Sequence, residues 1–109
     1  MMINIDDFKK IEIKVGEILS AERILGSDKL IKMSVNLGEE TPRQILAGIG
    51  PYFEDMSVLV GKKASFVVNL EQRKIMGMDS QGMILAAHDD DNLSLLEVSS
   101  EIPPGARIS

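Results

Sequence analysis

The sequence predicts an all-β fold in which a single domain over residues 1–109 forms a five-stranded barrel. Three observations support this prediction. Several short segments alternate apolar and polar residues, which is typical of strands with one buried face. Turn residues separate these segments, and no linker, repeat or low-complexity tract divides the chain. A chain of 109 residues hides roughly two-thirds of its unfolded surface on folding, which is enough for one core without disulfides.

The chain is predicted to begin with a helical turn and then to enter its first strand. Residues 5–10 offer an aspartate as the cap, an acidic first turn and two lysines at the end, which suits one or two turns of helix. The period then changes to two, because Ile11, Ile13 and Val15 alternate with Glu12 and Lys14. This alternation predicts the first strand.

The second and third strands are predicted to form a hairpin. Apolar residues from Ile31 to Leu37 alternate with polar ones, and residues 38–42 supply glycine, threonine and proline for a turn. The third strand is expected from Arg43 to Ala47.

A short helix and two further strands complete the predicted barrel. After Pro51, the apolar residues from Tyr52 to Val60 follow a helical spacing, and proline suits the first turn of a helix. A fourth strand is expected over Lys62 to Leu70, and the apolar run Met83 to Ala87 predicts a fifth strand buried on both sides. A helix between the third and fourth of five strands is the layout of the OB fold, whose face and loops commonly bind oligonucleotides. The apolar residues after Asp91 predict a C-terminal β extension.

The composition argues against catalysis and against a membrane location. The chain has no cysteine and only one histidine, His88, so disulfides and metal sites built from these residues are not expected. No nucleophile or carboxylate forms a recognisable catalytic pattern with His88, and Gly48-Ile49-Gly50 lacks the third glycine of a dinucleotide fingerprint. We therefore expect no enzyme activity, no cofactor and no metal. No apolar run approaches the ~20 residues that cross a bilayer, so a cytoplasmic protein without membrane contact is predicted.

The formal net charge of -5 argues against indiscriminate binding to nucleic acid, which depends mostly on Lys and Arg. The charge is unevenly distributed, however. Residues 61–88 carry four Lys and Arg against two Asp and Glu, whereas residues 89–109 carry one against five. A basic surface can therefore lie beside an acidic one, although ordinary solvated charge also explains both stretches.

The segment from Asn69 to Met83 carries the most information about function. Its two cations, Arg73 and Lys74, suit phosphate groups, its amide and hydroxyl side chains suit bases or ribose, and its glycines allow close approach of the backbone. Taken alone, the segment is equally explained as a polar connection between two strands.

At these residues the chain resembles the tRNA-binding domain family, which includes the C-terminal domain or β subunit of methionyl-tRNA synthetases and related stand-alone tRNA-binding proteins. The resemblance covers essentially the whole chain. The motifs are individually weak but specific in this order and spacing: Asp7-Phe8, Lys14-Val15-Gly16-Glu17-Ile18, Asp28-Lys29-Leu30, Val35-Asn36-Leu37-Gly38, Pro42-Arg43-Gln44-Ile45, Ala47-Gly48-Ile49, Val60-Gly61-Lys62-Lys63, Asn69-Leu70, Lys74, Gly77 and Ser80-Gln81-Gly82-Met83-Ile84-Leu85-Ala86-Ala87.

The resemblance implies an OB barrel that recognises the shape of tRNA and assists methionyl-tRNA aminoacylation. It points to Asn69, Lys74, Ser80 and Met83 as site residues, with Lys14, Lys29 and Arg43 as phosphate contacts. The chain departs from the family pattern at Glu71-Gln72, where Lys-Pro is usual, at Met76, where Arg is usual, and at Lys14, where Arg is common. These departures remove positive charge, so weakened RNA affinity is expected. The chain also resembles a sister branch of the same family, the CsaA-type chaperones, which bind peptides and are linked to secretion. Peptide binding of this type is the alternative function.

The resemblance also implies partners. Because the chain begins with Met1-Met2 and has no synthetase catalytic sequence, we expect it to act alone or to attach to a methionyl-tRNA synthetase. Apolar residues remain after the five strands, and a symmetric homodimer through them, with help from the N-terminal helix, is predicted; packing onto their own barrel is the alternative. The proposed interface residues are Leu93, Leu95, Leu96, Val98, Ile102 and Ile108.

Overall fold

The structure is a computed structural model that describes residues 1–109, and it consists mainly of short antiparallel strands. One helix, α1, spans Ile5–Lys9, and two 3₁₀ turns span Gly50–Tyr52 and Met56–Leu59. The strands are β1 Ile13–Arg23, β2 Ile31–Asn36, β3 Arg43–Ala47, β4 Lys63–Val67, β5 Arg73–Ile75, β6 Met78–Ser80, β7 Met83–Ile84, β8 Ala86–His88, β9 Leu93–Leu95 and β10 Arg107–Ile108.

Five of these strands form a nearly closed antiparallel barrel in the order β3-β2-β1-β4-β7. β1 is long because its first part pairs with β4 and its second part with β2, with an irregularity between Ile18 and Ser20. β3 and the segment before β7 meet through Gln81, whose backbone N–H donates to the Gln44 carbonyl at 2.8 Å and whose Oε1 accepts from Gln44 N at 2.9 Å. The predicted OB-like barrel is confirmed, as is the β2–β3 hairpin.

The core lies inside this barrel and consists of the inward-facing residues of its strands. The largest fully buried side chain is Phe66 of β4. Gly16 of β1 lies directly beside it, since a Cβ atom at Gly16 would stand 2.6 Å from both the Phe66 ring and Val35. A side chain at Gly16 would therefore force the centre of the core apart.

The predicted short helix after Pro51 takes the form of two separate 3₁₀ turns between β3 and β4. Pro51 lies in the first of these turns. Asp55 is the cap residue of the second turn, because its side chain accepts a hydrogen bond from Ser57 N at 2.9 Å. α1 was also expected to have an aspartate cap, but Asn4 is the cap residue, and its Oδ1 accepts from Asp7 N at 2.8 Å.

The second half of the barrel also differs from the prediction. β4 ends at Val67 rather than Leu70, and the connection after it contains a hairpin, β5–β6. The predicted doubly buried strand Met83 to Ala87 is wrong as well, since the run divides into β7 and β8 and both Met83 and Ala87 are exposed. The run divides because β7 pairs with β4, whereas β8 turns away to pair with β9.

The predicted C-terminal β extension is confirmed. β9 pairs with β8, and β10 pairs with the start of β1, where Gly105 N donates to the Val15 carbonyl at 2.7 Å. Neither α1 nor either 3₁₀ turn has the length and apolarity needed to span a membrane.

Candidate functional site

An open cleft of about 530 Å³ lies on one side of the barrel, between the segment after β3, the β5–β6 hairpin and the β7–β8 run. Eleven of its fourteen lining residues are hydrophobic, so the cleft suits a ligand with an apolar face. The lining residues are Leu30, Leu46, Ala47, Gly48, Ile49, Tyr52, Arg73, Ile75, Met83, Ile84, Leu85, Ala86, His88 and Leu93.

The cation at the cleft is Arg73. Arg73 and Ile75 line the cleft, and because side chains alternate along a strand, Lys74 points to the other side of β5. There its Nζ lies 3.4 Å from Asp79 Oδ1 in an exposed ion pair, whereas Arg73 is exposed and forms no ion pair. Arg73 is therefore free to meet an anion beside the cleft.

The β5–β6 hairpin turns at Met76 and Gly77, which both have positive φ, at 51° and 79°. Such dihedrals are typical of the two-residue turns that match the strand twist, although methionine is an unusual residue in this conformation. The tip reaches the loop after β1, since a Cβ atom at Gly26 would stand 3.9 Å from the Met76 Cε. The hairpin thus forms one wall of the cleft.

Ser80 holds this hairpin on the barrel. Its side chain is buried, its hydroxyl accepts a hydrogen bond from Leu46 N at 3.1 Å, and it donates to the Gly82 carbonyl at 3.2 Å. Gln44 Nε2 adds a bond to the Asp79 carbonyl at 2.9 Å. Both partners of the Ser80 hydroxyl are backbone groups, so Ser80 positions the cleft wall and does not itself line the cleft.

Asn69 has a similar positioning role at the end of β4. Its Oδ1 accepts from Glu12 N at 2.8 Å, and its Nδ2 donates to the Lys10 carbonyl at 2.6 Å. One amide therefore ties the segment between α1 and β1 to the barrel.

Arg43 is held within the protein by four hydrogen bonds. Its Nε and Nη2 each donate to the Glu39 carboxylate at 2.8 Å, and Nη1 donates to the carbonyls of Val68 at 2.7 Å and Gln81 at 3.1 Å. The pKa of Glu39 is lowered, chiefly because Arg43 donates to its carboxylate; Lys14 adds a smaller electrostatic contribution. Four of the five Arg43 N–H donors are thus occupied.

The structure brings only part of the predicted site together. Met83 and Arg73 line the cleft, and Lys29 is exposed immediately before Leu30, which also lines it. Lys14, Arg43, Asn69, Lys74 and Ser80 do not line the cleft. The sequence did not indicate Tyr52 or Gly48 as site residues. Tyr52 was expected to lie in a helix, and Gly48 belonged to an incomplete dinucleotide-binding motif. The signal that could have found them is Gly48-x-Gly50-Pro51 directly after β3, which predicts a tight turn and an exposed aromatic residue.

The residues proposed for a dimer interface fall into three groups. Leu95 is only 7% exposed and belongs to the core of its own barrel, against which Leu93 packs. Val98 and Ile108 are half-buried, and both contribute to backbone pairing within the chain. Only Leu96 and Ile102 are exposed, at 44% and 39%.

The acidic turn after β8 is ordered by its own side chain. Asp89 Oδ1 accepts from the backbone N–H groups of Asp91 at 3.0 Å and Asn92 at 2.8 Å. These backbone hydrogen bonds lower the pKa of Asp89, so its carboxylate stays anionic at neutral pH and at moderately acidic pH.

The fold and the cleft define a small OB-like barrel with an apolar recess and a free arginine on its rim. Residues 13–107 match the family model described as "Putative tRNA binding domain". The chain therefore belongs to the tRNA-binding domain family, and it is a tRNA-binding domain homologous to the C-terminal domain of methionyl-tRNA synthetases.

Individual relatives agree with this assignment. A methionine–tRNA ligase of Caldanaerobacter subterraneus subsp. tengcongensis is 50% identical over 107 residues, which cover 98% of this chain and 16% of the ligase. The chain thus spans about one-sixth of the length of the curated relatives it matches. A crystal structure of a MetRS related protein from Pyrococcus horikoshii is 40% identical with a TM-score of 0.93, covering 100% of this chain and 99% of that one. A chaperone CsaA from Bacillus anthracis str. Ames is 25% identical with a TM-score of 0.87, and the match covers both chains fully, at 100% each.

Proposed function

We propose that this domain holds tRNA for a methionyl-tRNA synthetase in the cytoplasm and contributes binding rather than catalysis. The observation that carries the proposal is the 50% identity to a methionine–tRNA ligase over nearly the whole chain. Holding tRNA beside a synthetase raises its effective concentration at the active site without any new catalytic group. The domain acts in this way whether it is linked to the synthetase covalently or binds to it as a separate chain.

The tRNA surface that we propose is the cleft face, with Arg73, Lys29 and Met83 at its edge and Lys74 on the outer side of the hairpin. Arg73 and Lys29 form no ion pair within the chain, so neither has to leave an internal carboxylate to meet a phosphate. Lys74 is 74% exposed, so a phosphate can reach its ammonium group while the ion pair with Asp79 remains in place. Asn69, Ser80 and Arg43 support the surface by fixing the backbone around it.

The net charge of -5 makes this binding dependent on local contacts rather than on the total charge of the protein. A few phosphate contacts give a shallow dependence of affinity on salt, with a slope of roughly one per phosphate neutralised. We therefore expect a slope of about three for the wild-type chain, one each from Arg73, Lys29 and Lys74.

We also propose that two copies associate. Ile5 and Phe8 of α1 are 64% and 42% exposed, and the helix contains no buried residue. Leu96 and Ile102 are exposed after the barrel. Uncovered apolar residues of this size favour association. A two-fold pair would place two cleft faces on one assembly and extend the surface available to one tRNA.

Aminoacylation kinetics test the function. A methionyl-tRNA synthetase from which the homologous C-terminal domain has been removed should show a lower apparent KM for tRNA when this chain is fused to its C-terminus, with kcat unchanged. The matched control is the same fusion with Arg73→Gln, Lys29→Gln and Lys74→Gln together, which should lose most of the KM gain. Equal KM values with and without the fused domain would contradict the helper role.

A second candidate function is peptide binding of the CsaA type, and the mainly apolar lining of the cleft favours it. It predicts that unfolded polypeptide, rather than tRNA, is retained in a filter-binding assay. Retention of unfolded polypeptide with no retention of tRNA would replace the tRNA proposal by this one.

A further inference from the structure

We propose that the apolar cleft is a pocket for one unpaired nucleobase of the bound RNA, with Tyr52 as the stacking residue and Arg73 as the partner of the adjacent phosphate. The inference rests on tRNA binding by this domain and names the part of the RNA that this site takes.

The lining fits a base better than it fits a phosphate backbone. Eleven of the fourteen lining residues are hydrophobic, and a phosphate or a ribose would leave its polar atoms without partners among them. A base has a broad π-face that such a surface can cover. Proteins that recognise single-stranded RNA stack splayed bases on aromatic side chains or on arginine planes.

Tyr52 is available for this contact. It lines the cleft, yet 42% of its surface is exposed, so the ring is neither packed in the core nor fully free. The 3₁₀ turn Gly50–Tyr52 holds it there, since Gly50 N donates to the Lys29 carbonyl at 2.9 Å and Phe53 N donates to the Gly50 carbonyl at 3.2 Å. Because the backbone that carries the ring is already fixed, only the side chain of Tyr52 has to be ordered when a base stacks on it.

The guanidinium of Arg73 makes the cleft better suited to a nucleotide than to an apolar peptide. Arg73 lines the cleft without any internal carboxylate partner. An apolar peptide side chain would leave this guanidinium unused, whereas a nucleotide supplies an apolar base and an anionic phosphate in one unit. The combination of apolar floor and free cation is therefore complementary to an unpaired nucleotide.

Gly48 offers a steric test that leaves the rest of the fold untouched. It lines the cleft, its φ is outside the left-handed region, and a Cβ atom there would meet no heavy atom within 4 Å. Gly48→Val should therefore add bulk to the cleft lining, with room for its Cβ atom and without backbone strain. Tyr52→Ala removes the stacking ring, and both variants leave every charge in place.

The experiment measures binding of bulk tRNA across a range of salt concentrations. Gly48→Val and Tyr52→Ala should each weaken affinity about tenfold, with an unchanged salt slope, because a base contact is lost and no phosphate contact is. Arg73→Gln should weaken affinity and reduce the slope by about one. The matched control is Arg107→Gln, an exposed arginine of β10 that also forms no ion pair and does not line the cleft; it should change neither quantity.

A second measurement compares bulk tRNA with a fully paired RNA duplex of similar length. The wild-type chain should prefer tRNA, and Gly48→Val should lose that preference. If the wild-type chain binds tRNA but Gly48→Val and Tyr52→Ala bind it equally well, the base pocket is refuted and tRNA binding stands. If the wild-type chain binds no tRNA, both proposals fail. The base pocket would also be refuted if an unstructured apolar peptide binds in the cleft, Gly48→Val blocks that binding, and the same variant leaves the affinity for tRNA unchanged.

Discussion

Replacing Arg43 tests whether this arginine stabilises the fold or contacts phosphate. In Arg43→Ala, two bonds to the Glu39 carboxylate and two bonds to the carbonyls of Val68 and Gln81 disappear. The Glu39 pair is partly exposed, with 25% and 41% of the two side chains accessible, so we count it as no more than about 1 kcal/mol. The two carbonyl bonds add about 1 kcal/mol each. The expected loss of unfolding free energy is therefore about 2–3 kcal/mol, or roughly 10 °C in Tm for a domain of this size.

Circular dichroism melts measure the stability of each variant, and tRNA titrations over a range of salt concentrations measure the salt slope of binding. Arg43→Ala should lower Tm and leave the salt slope of tRNA binding unchanged. Arg43→Lys is the matched variant, because it keeps the charge but loses the planar fork, and it should lose most of the same stability. A Tm within about 1 °C of the wild type, combined with a slope reduced by about one, would show that Arg43 meets phosphate instead.

The pH dependence provides a check on the same contact. The folded pKa of Glu39 lies below its ordinary value of 4.5, first because Arg43 donates to its carboxylate. A lowered folded pKa contributes stability that is present above the ordinary pKa and is lost as the pH falls through the folded pKa. The Tm difference between wild type and Arg43→Ala should therefore narrow below pH 4.5. A difference that stays constant down to pH 2 would contradict this assignment.

Three further predictions concern positioning and assembly. Ser80→Ala leaves the buried Leu46 N–H without its partner, and should cost about 1–3 kcal/mol in a denaturant melt without changing the salt slope of tRNA binding; a reduced slope would make Ser80 part of the RNA contact. Asn69→Ala removes the acceptor of Glu12 N–H, so hydrogen exchange at that amide should accelerate while exchange in β2 does not change; unchanged exchange at Glu12 would contradict the tether. Light scattering should give twice 12.0 kDa for the intact chain and 12.0 kDa for Leu96→Glu with Ile102→Glu, and an intact chain at 12.0 kDa at micromolar concentration would refute the dimer.

The strands that could be predicted are those that leave a local signal in the sequence. β2 follows from the strict alternation of buried and half-buried residues, whereas β3, whose last three residues are all buried, follows from the turn residues that precede it. The second part of β1 lacked such a signal because its pairing shifts between Ile18 and Ser20, which interrupts the alternation. The run after Met83 was misread because a continuous apolar stretch does not reveal where a chain changes its pairing partner.

The candidate site was only partly predictable for a different physical reason. The residue types in the segment from Asn69 to Met83 indicated an RNA contact, but they could not show which polar groups the fold itself uses. Ser80 and Asn69 carry side chains that suit RNA, yet both are satisfied by backbone groups distant in sequence. Which of Arg73 and Lys74 faces the cleft depends on the hairpin register, which places Arg73 opposite Ser80 and Lys74 opposite Asp79. Tyr52 needed the tertiary fold, since nothing in the sequence places it beside that hairpin.

Titration of the isotope-labelled chain with bulk tRNA, followed by backbone amide NMR, tests the central claim most directly. If the cleft face binds tRNA, the largest shifts should cluster at residues 47–52, 73–75 and 83–88, which line or flank the cleft. Residues 107–108 of β10 do not line it and should not move. Shifts concentrated in β10 and at Lys62 and Lys63, with none around the cleft, would contradict the account, as would the absence of any shift at saturating tRNA.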